Sequence, residues 1–327
     1  MLFPLSYSIP AEVIVPYVPF KTAHTASHEY QFDDVAPYME NYRKAFFGET
    51  RLKCGWDCMR HYEILSQGTI TDFHNLQDLP KKTMTNFPKA LVFELTAKYK
   101  HLTFEEILKC SSSTVYEDLD SLLRYTRNNL TTEDAARYVL RKSGHADAKK
   151  ILYLSNADKC GNYMVDMLAH GFARITEGAV DTYPDFEERY DNYPVEPTKK
   201  LYGKGFNYTR FLPAAWRRAP SESLIQQRIK ERFYDVIIHS TSEQSDLQYP
   251  FLTGPENAKE YYAISDIILI CGHDCDNYWS PEKQWYIRDH HNCPIKVFAD
   301  QTSVFIRELG NLRRLLKEFA MVFGRRS

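Results

Sequence analysis

The chain has 327 residues, 43% hydrophobic and 26% charged, which is enough for two ordinary cores and too apolar for a disordered chain. Its 41 lysines and arginines nearly balance 43 acidic residues, and the net charge of −2 excludes a whole-protein electrostatic pull on nucleic acid. No run of about 18 apolar residues occurs, so no membrane span is expected.

The opening stretch, MLFPLSYSIPAEVIVPYVPF, carries four prolines and no basic leader, and reads as a poor signal peptide. Seven cysteines without a secretion signal read as reduced thiols of a soluble, cytoplasmic protein. In that compartment the NxT sequons at Asn129 and Asn207 meet no glycosylation machinery.

In chain order, EVIVPYV reads as an extended segment bracketed by prolines. Residues 33–48 have a helical pattern, with Gly48 as its stop. A helix from about Cys58 to Gln67 follows, then a stop at Gly68 and a short strand, TITDF. KALVFELTAKYK, TFEEILKC, TVYEDLDSLLRYTRNN and TTEDAARYVLRKSG are all helical. The last has Thr131 or Thr132 as N-cap and acidic residues in its first turn, where they suit the helix dipole. The polar SGHADAKK places a domain boundary near 148.

Beyond it, KKILYLSNAD, FYDVIIHS, DIILICGHD and IKVFAD (295–300) read as buried strands, and CGNYMVDMLAHGF as a helix between the first two. Buried strands separated by helices imply a parallel sheet covered on both faces, with ligands outside the carboxyl ends of its strands. Those ends carry Asn156 and Asp158, His239 to Ser242, and Gly272 to Asp276.

The stretch GWDCMRHYEILSQGTITDF (55–73) sets Arg60 and Glu63 three apart on one helical face, with Gly68 just beyond. A forked guanidinium suits a diphosphate, and a carboxylate accepts both hydroxyls of a ribose. Such a short pattern also arises by chance in roughly one chain of this length in ten, as a surface ion pair and a helix cap. Upstream, Lys53 adds positive charge against a phosphate, and Trp56 either stacks on a base or fills the core. Lys82 and Thr83 lie near a strand exit, within reach of a phosphate or sugar.

RHYEILSQGTI resembles the donor-binding signature of exostosin-like glycosyltransferases. The wider run KCGWDCMRHYEILSQGTITDFHNLQDLPKKTMTNFPKAL is similar to a related set of microbial and giant-virus glycosyltransferases. KKILYLSNADKCGNYMVDMLAHGF, LYGKGFNYTRFLP, FYDVIIHS and IILICGHD resemble the other Rossmann-like half of the same set. The resemblance implies an α/β fold of the GT-B type, two Rossmann-like domains facing across a cleft. Residues 1–148 would be the nucleotide-sugar donor domain and 149–327 the acceptor-side domain. Two features depart from the pattern: Thr71 stands where a proline is expected, and the halves come in reversed order, as a circular permutation would leave them.

The implied reaction moves a sugar from a nucleotide-diphosphate donor to a hydroxyl of a glycan-type acceptor, with no required metal, in a monomer or a domain-exchanged dimer. Gly203, Lys204 and Gly205 form either an anion-holding loop with Asp158 nearby or a tight turn with a solvated lysine. Asp274 and His239 are the site-lining candidates for a general base. Asp274 and Asp276 form a D-x-D that would hold a divalent ion in a metal-dependent transferase, the competing enzyme reading. Cys271, His273 and Cys275 lack a second ligand pair at zinc-finger spacing. A non-catalytic carbohydrate- or nucleotide-binding protein is the alternative from another class.

Overall fold

Two parallel sheets organise the chain, a mixed α/β architecture. The computed structural model describes residues 22–23, 32–52, 55–79, 81, 83–155, 163–241, 258–272 and 303–306. The expected segments EVIVPYV and IKVFAD lie outside them.

The first sheet has the order β1 (Thr22–Ala23), β2 (Phe47–Thr50), β3 (Ile70–Phe73). Helices α1 (Val35–Arg43) and α2 (Met59–Ser66) make the crossovers that parallel strands require. Helix α2 stops as its sequence predicts: Gly68 takes φ 72°, a conformation only glycine adopts freely, and its N–H bonds the Leu65 carbonyl at 3.0 Å. Gly48 corrects the reading of 33–48. It does not end α1 but sits inside β2, because buried Ala45, Phe46 and Phe47 draw the chain into the sheet. A Cβ at Gly48 would stand 2.7 Å from the Ile64 side chain, so glycine there lets α2 lie close on the strand.

Helices α3 (Lys89–Tyr99), α4 (Phe104–Lys109) and α5 (Ser112–Asn129) complete this unit. Val115, Leu119, Leu122 and Leu123 of α5 recur at helical spacing and are buried in one core with Phe47, Leu65, Ile70 and Val92. Helix α6 (Thr132–Lys142) starts with a capping box, Thr131 with Asp134. It precedes the expected boundary at 148, yet its Ala136, Val139 and Leu140 pack in the core of the second sheet.

That sheet joins β4 (Ile151–Ser155), β5 (Val180–Tyr183), β6 (Val236–Thr241), β7 (Ile267–Cys271) and β8 (Ser303–Ile306), all parallel, in the order β5-β4-β6-β7-β8. Alternate residues feed two cores. Ile151, Tyr153, Val236 and Ile238 face α6 and α7 (Tyr163–Ile175), while Leu152, Leu154 and Ile237 face α9 (Glu222–Lys230). The strand order reverses between β4 and β6, where Ser155 pairs with Ser240, and ligands of doubly wound sheets lie outside such a reversal. A short α8 (Val195–Thr198) leads into the loop that faces the first unit. Among the described residues, no helix is long and apolar enough to cross a membrane.

Candidate functional site

The loop from β2 into α2 is pinned from inside. Nε2 of His61 lies 2.8 Å from the Trp56 carbonyl and Nδ1 lies 2.8 Å from Thr50 Oγ1. A carbonyl only accepts, so Nε2 carries the proton and Nδ1 accepts from the Thr50 hydroxyl. The ring is fully buried and stacks on Phe73 at 4.3 Å. Tyr62 adds a second staple, its hydroxyl donating to Asp57 at 2.7 Å. These contacts set the start of α2, and with it Arg60 and Glu63, at the carboxyl end of the first sheet.

Glu63 is 5% exposed, and each of its oxygens has a donor. Tyr38 of α1 donates to Oε2 at 2.5 Å, and Asn207 donates from Nδ2 to Oε1 at 2.6 Å. Burial raises the Glu63 pKa, partly offset by these two hydrogen bonds and by the nearby charge of Arg60. Burial and the Glu63 carboxylate push the Tyr38 hydroxyl well above its ordinary value, so it remains a donor.

Arg60 is half-buried and makes no ion pair among the described residues. Among the described residues its Nε has no hydrogen-bond partner. Burial works against its charge, but Tyr42, Cys58, Tyr38 and Glu63 outweigh that, and the guanidinium stays charged. Trp56, 4% exposed, lies in the core against Phe73, which is the second of the two roles open to it. Thr83 is fully buried, and its carbonyl accepts from Lys89 Nζ at 2.8 Å.

The GKG loop crosses to the first unit. Gly203, Lys204 and Gly205 have φ of 58°, 55° and 70°, a tight left-handed turn. The Lys204 ammonium donates to the Phe32 carbonyl at 2.9 Å and to Asp33 at 2.6 Å, which lowers the Asp33 pKa. Of the two readings, the lysine follows neither fully: its charge is engaged within the chain rather than solvated. Asn207, two residues on, is the sequon asparagine; it is 5% exposed with its amide on Glu63, so it presents no glycan acceptor.

His239 is fully buried within β6, level with Leu154 and Leu269 of the neighbouring strands, and offers no open face to an acceptor hydroxyl. Lys53, Lys82, Asp158, Asp274 and Asp276 lie outside the described residues. Among the described residues, no group of three or more His, Cys, Asp or Glu is placed to hold a metal ion.

The structure therefore brings together Arg60, Glu63 and the 203–207 loop. Sequence reasoning missed Tyr38 and Asn207. Their only trace was proximity to motifs already chosen, because their role depends on contacts 25 and 144 residues away. No protein-family model matches this chain, and no curated protein and no solved structure matches it.

Proposed function

We propose that the protein is a glycosyltransferase that takes its sugar from a nucleotide-diphosphate donor, with the donor held by the first unit and the acceptor by the second. The observation that carries this reading is Arg60: a charged, half-buried guanidinium whose Nε has no partner among the described residues, one helical turn from a buried glutamate, at the carboxyl end of a parallel sheet. Such a group is stabilised by an anion, and a diphosphate supplies one whose negative charge grows as the sugar departs. Glu63 would accept the two ribose hydroxyls. A second parallel sheet, with its strand order reversed between β4 and β6, supports an acceptor site opposite, in a GT-B arrangement of permuted order.

A thermal-shift panel tests this, with uridine and guanosine diphosphates and their sugars, with and without manganese. The expected result is a nucleotide-specific rise in melting temperature, independent of manganese and lost in Arg60→Ala and Glu63→Ala. A rise that requires manganese would favour the D-x-D reading at Asp274 and Asp276. The non-catalytic binding protein has one observation in its favour, the burial of His239, and binding of a nucleotide sugar without turnover would support it.

A further inference from the structure

Glu63 already holds, within the chain, the hydrogen-bond pattern a vicinal diol would present to it: two donors, one on each carboxylate oxygen. One donor, Tyr38, belongs to the same unit. The other, Asn207, arrives from the second unit on a loop in which Gly203, Lys204, Gly205 and Asn207 all have left-handed backbone, with φ from 55° to 70°. The same loop fastens to the first unit twice more. Lys204 bonds Phe32 and Asp33, and the Phe206 ring lies 5.7 Å from that of Tyr38.

We propose that the loop 203–207 is a latch holding the two units closed over Glu63, and that Asn207 competes with a diol-bearing ligand for that carboxylate. The identity of the competitor rests on the nucleotide-sugar reading above; the latch itself rests on the contacts. At 5% exposure the carboxylate has no open side from which a diol could add further donors, so entry requires Asn207 to withdraw. The closed loop also holds Lys204 in left-handed backbone, which a lysine side chain disfavours. Glu63 is thus closed by the chain's own surrogate for the ribose, and the ligand opens the latch by replacing it.

The test uses the full chain as wild type, Asn207→Ala and Lys204→Met, with uridine and guanosine diphosphates as probes. Without nucleotide, amide exchange at 203–208 and at 32–38 should quicken together in both variants. Affinity for the preferred diphosphate should rise about tenfold in Asn207→Ala and about threefold in Lys204→Met. Should Asn207→Ala fail to fold, Lys204→Met carries the test alone, since it leaves both donors of Glu63 in place. If the variants bind no tighter than a wild type whose binding needs Arg60, the nucleotide reading stands and the latch is overturned. If neither diphosphate binds any of the proteins, the nucleotide reading fails and the competition falls with it.

Discussion

Among the buried carboxylates that lie near arginines, two are held in opposite ways. Asp166 of α7 is paired directly, with Arg189 Nε and Nη2 each 2.8 Å from Asp166 Oδ1. Arg189 is 1% exposed, and Cζ sits 4.1 Å from the Phe186 ring centroid, a π face that suits the charge its other nitrogens carry. Glu63 instead takes its donors from a phenol and an amide, while Arg60 lies near it without an ion pair among the described residues. Burial raises both carboxyls, Asp166 to about 6 against the pull of Arg189. What separates them is the counter-charge, not the depth. Arg189 too keeps a nitrogen, Nη1, without a hydrogen-bond partner among the described residues, so what sets Arg60 apart is the lack of a carboxylate in ion-pair contact there, and it is this guanidinium that an anion would stabilise.

The comparison breaks most visibly through Asp166→Ala. Leaving Arg189 buried without its partner should destabilise the protein by about 3–5 kcal/mol, read from the denaturant midpoint. Acid sharpens the same contrast. His170 bonds Thr132 across the contact between α6 and α7 at 2.7 Å, and burial lowers its pKa from 6.5 to about 4, with Arg174 adding to and Glu133 opposing the shift. A depressed pKa means stability that is present above pH 6.5 and lost as the pH falls through 4, about 3 kcal/mol in all. His170→Gln should flatten that slope in urea titrations between about pH 7 and pH 4.

A smaller effect tests which unit owns α6. A Cβ at Gly171 would meet the Thr132 carbonyl at 2.1 Å, so Gly171→Ala should cost about 1–3 kcal/mol in the denaturant midpoint. An unchanged midpoint would mean that α6 does not pack on α7 as described. Smallest of all is Arg60→Met, within about 1 kcal/mol of wild type in the same measurement, because no ion pair among the described residues is lost and the apolar stem is kept. A loss as large as that of Asp166→Ala would put Arg60 among the structural charges.

Local signals in the sequence were reliable where local physics decides. Gly68, the Thr131 cap and the apolar runs of β4, β6 and β7 all form the elements they predict. Gly48 was misread because a glycine after a helical pattern signals a stop, and only the packing of Ile64 reveals that it belongs to a strand. Strand β5, VDTY, gave no apolar run: its Asp181 is buried because Arg228 and Tyr234, 47 and 53 residues later, bind it. At the candidate site, Arg60 and Glu63 were legible as a pair on one helix. That their neighbours would be Tyr38 and Asn207 was not, since nothing local marks Tyr38 and the sequon at Asn207 says nothing of Glu63.

The contact between Glu63 and Asn207 also sets an order of events during synthesis. The two residues are 144 apart, so at about 5–20 residues per second Asn207 leaves the ribosome on the order of ten seconds after Glu63. Through that interval the carboxylate has only Tyr38 from the list of its final donors and must keep water on its other oxygen. Dehydration of Glu63 is therefore a late step, reserved for the docking of one finished unit on the other, and a chain cut before Asn207 would carry this glutamate wet.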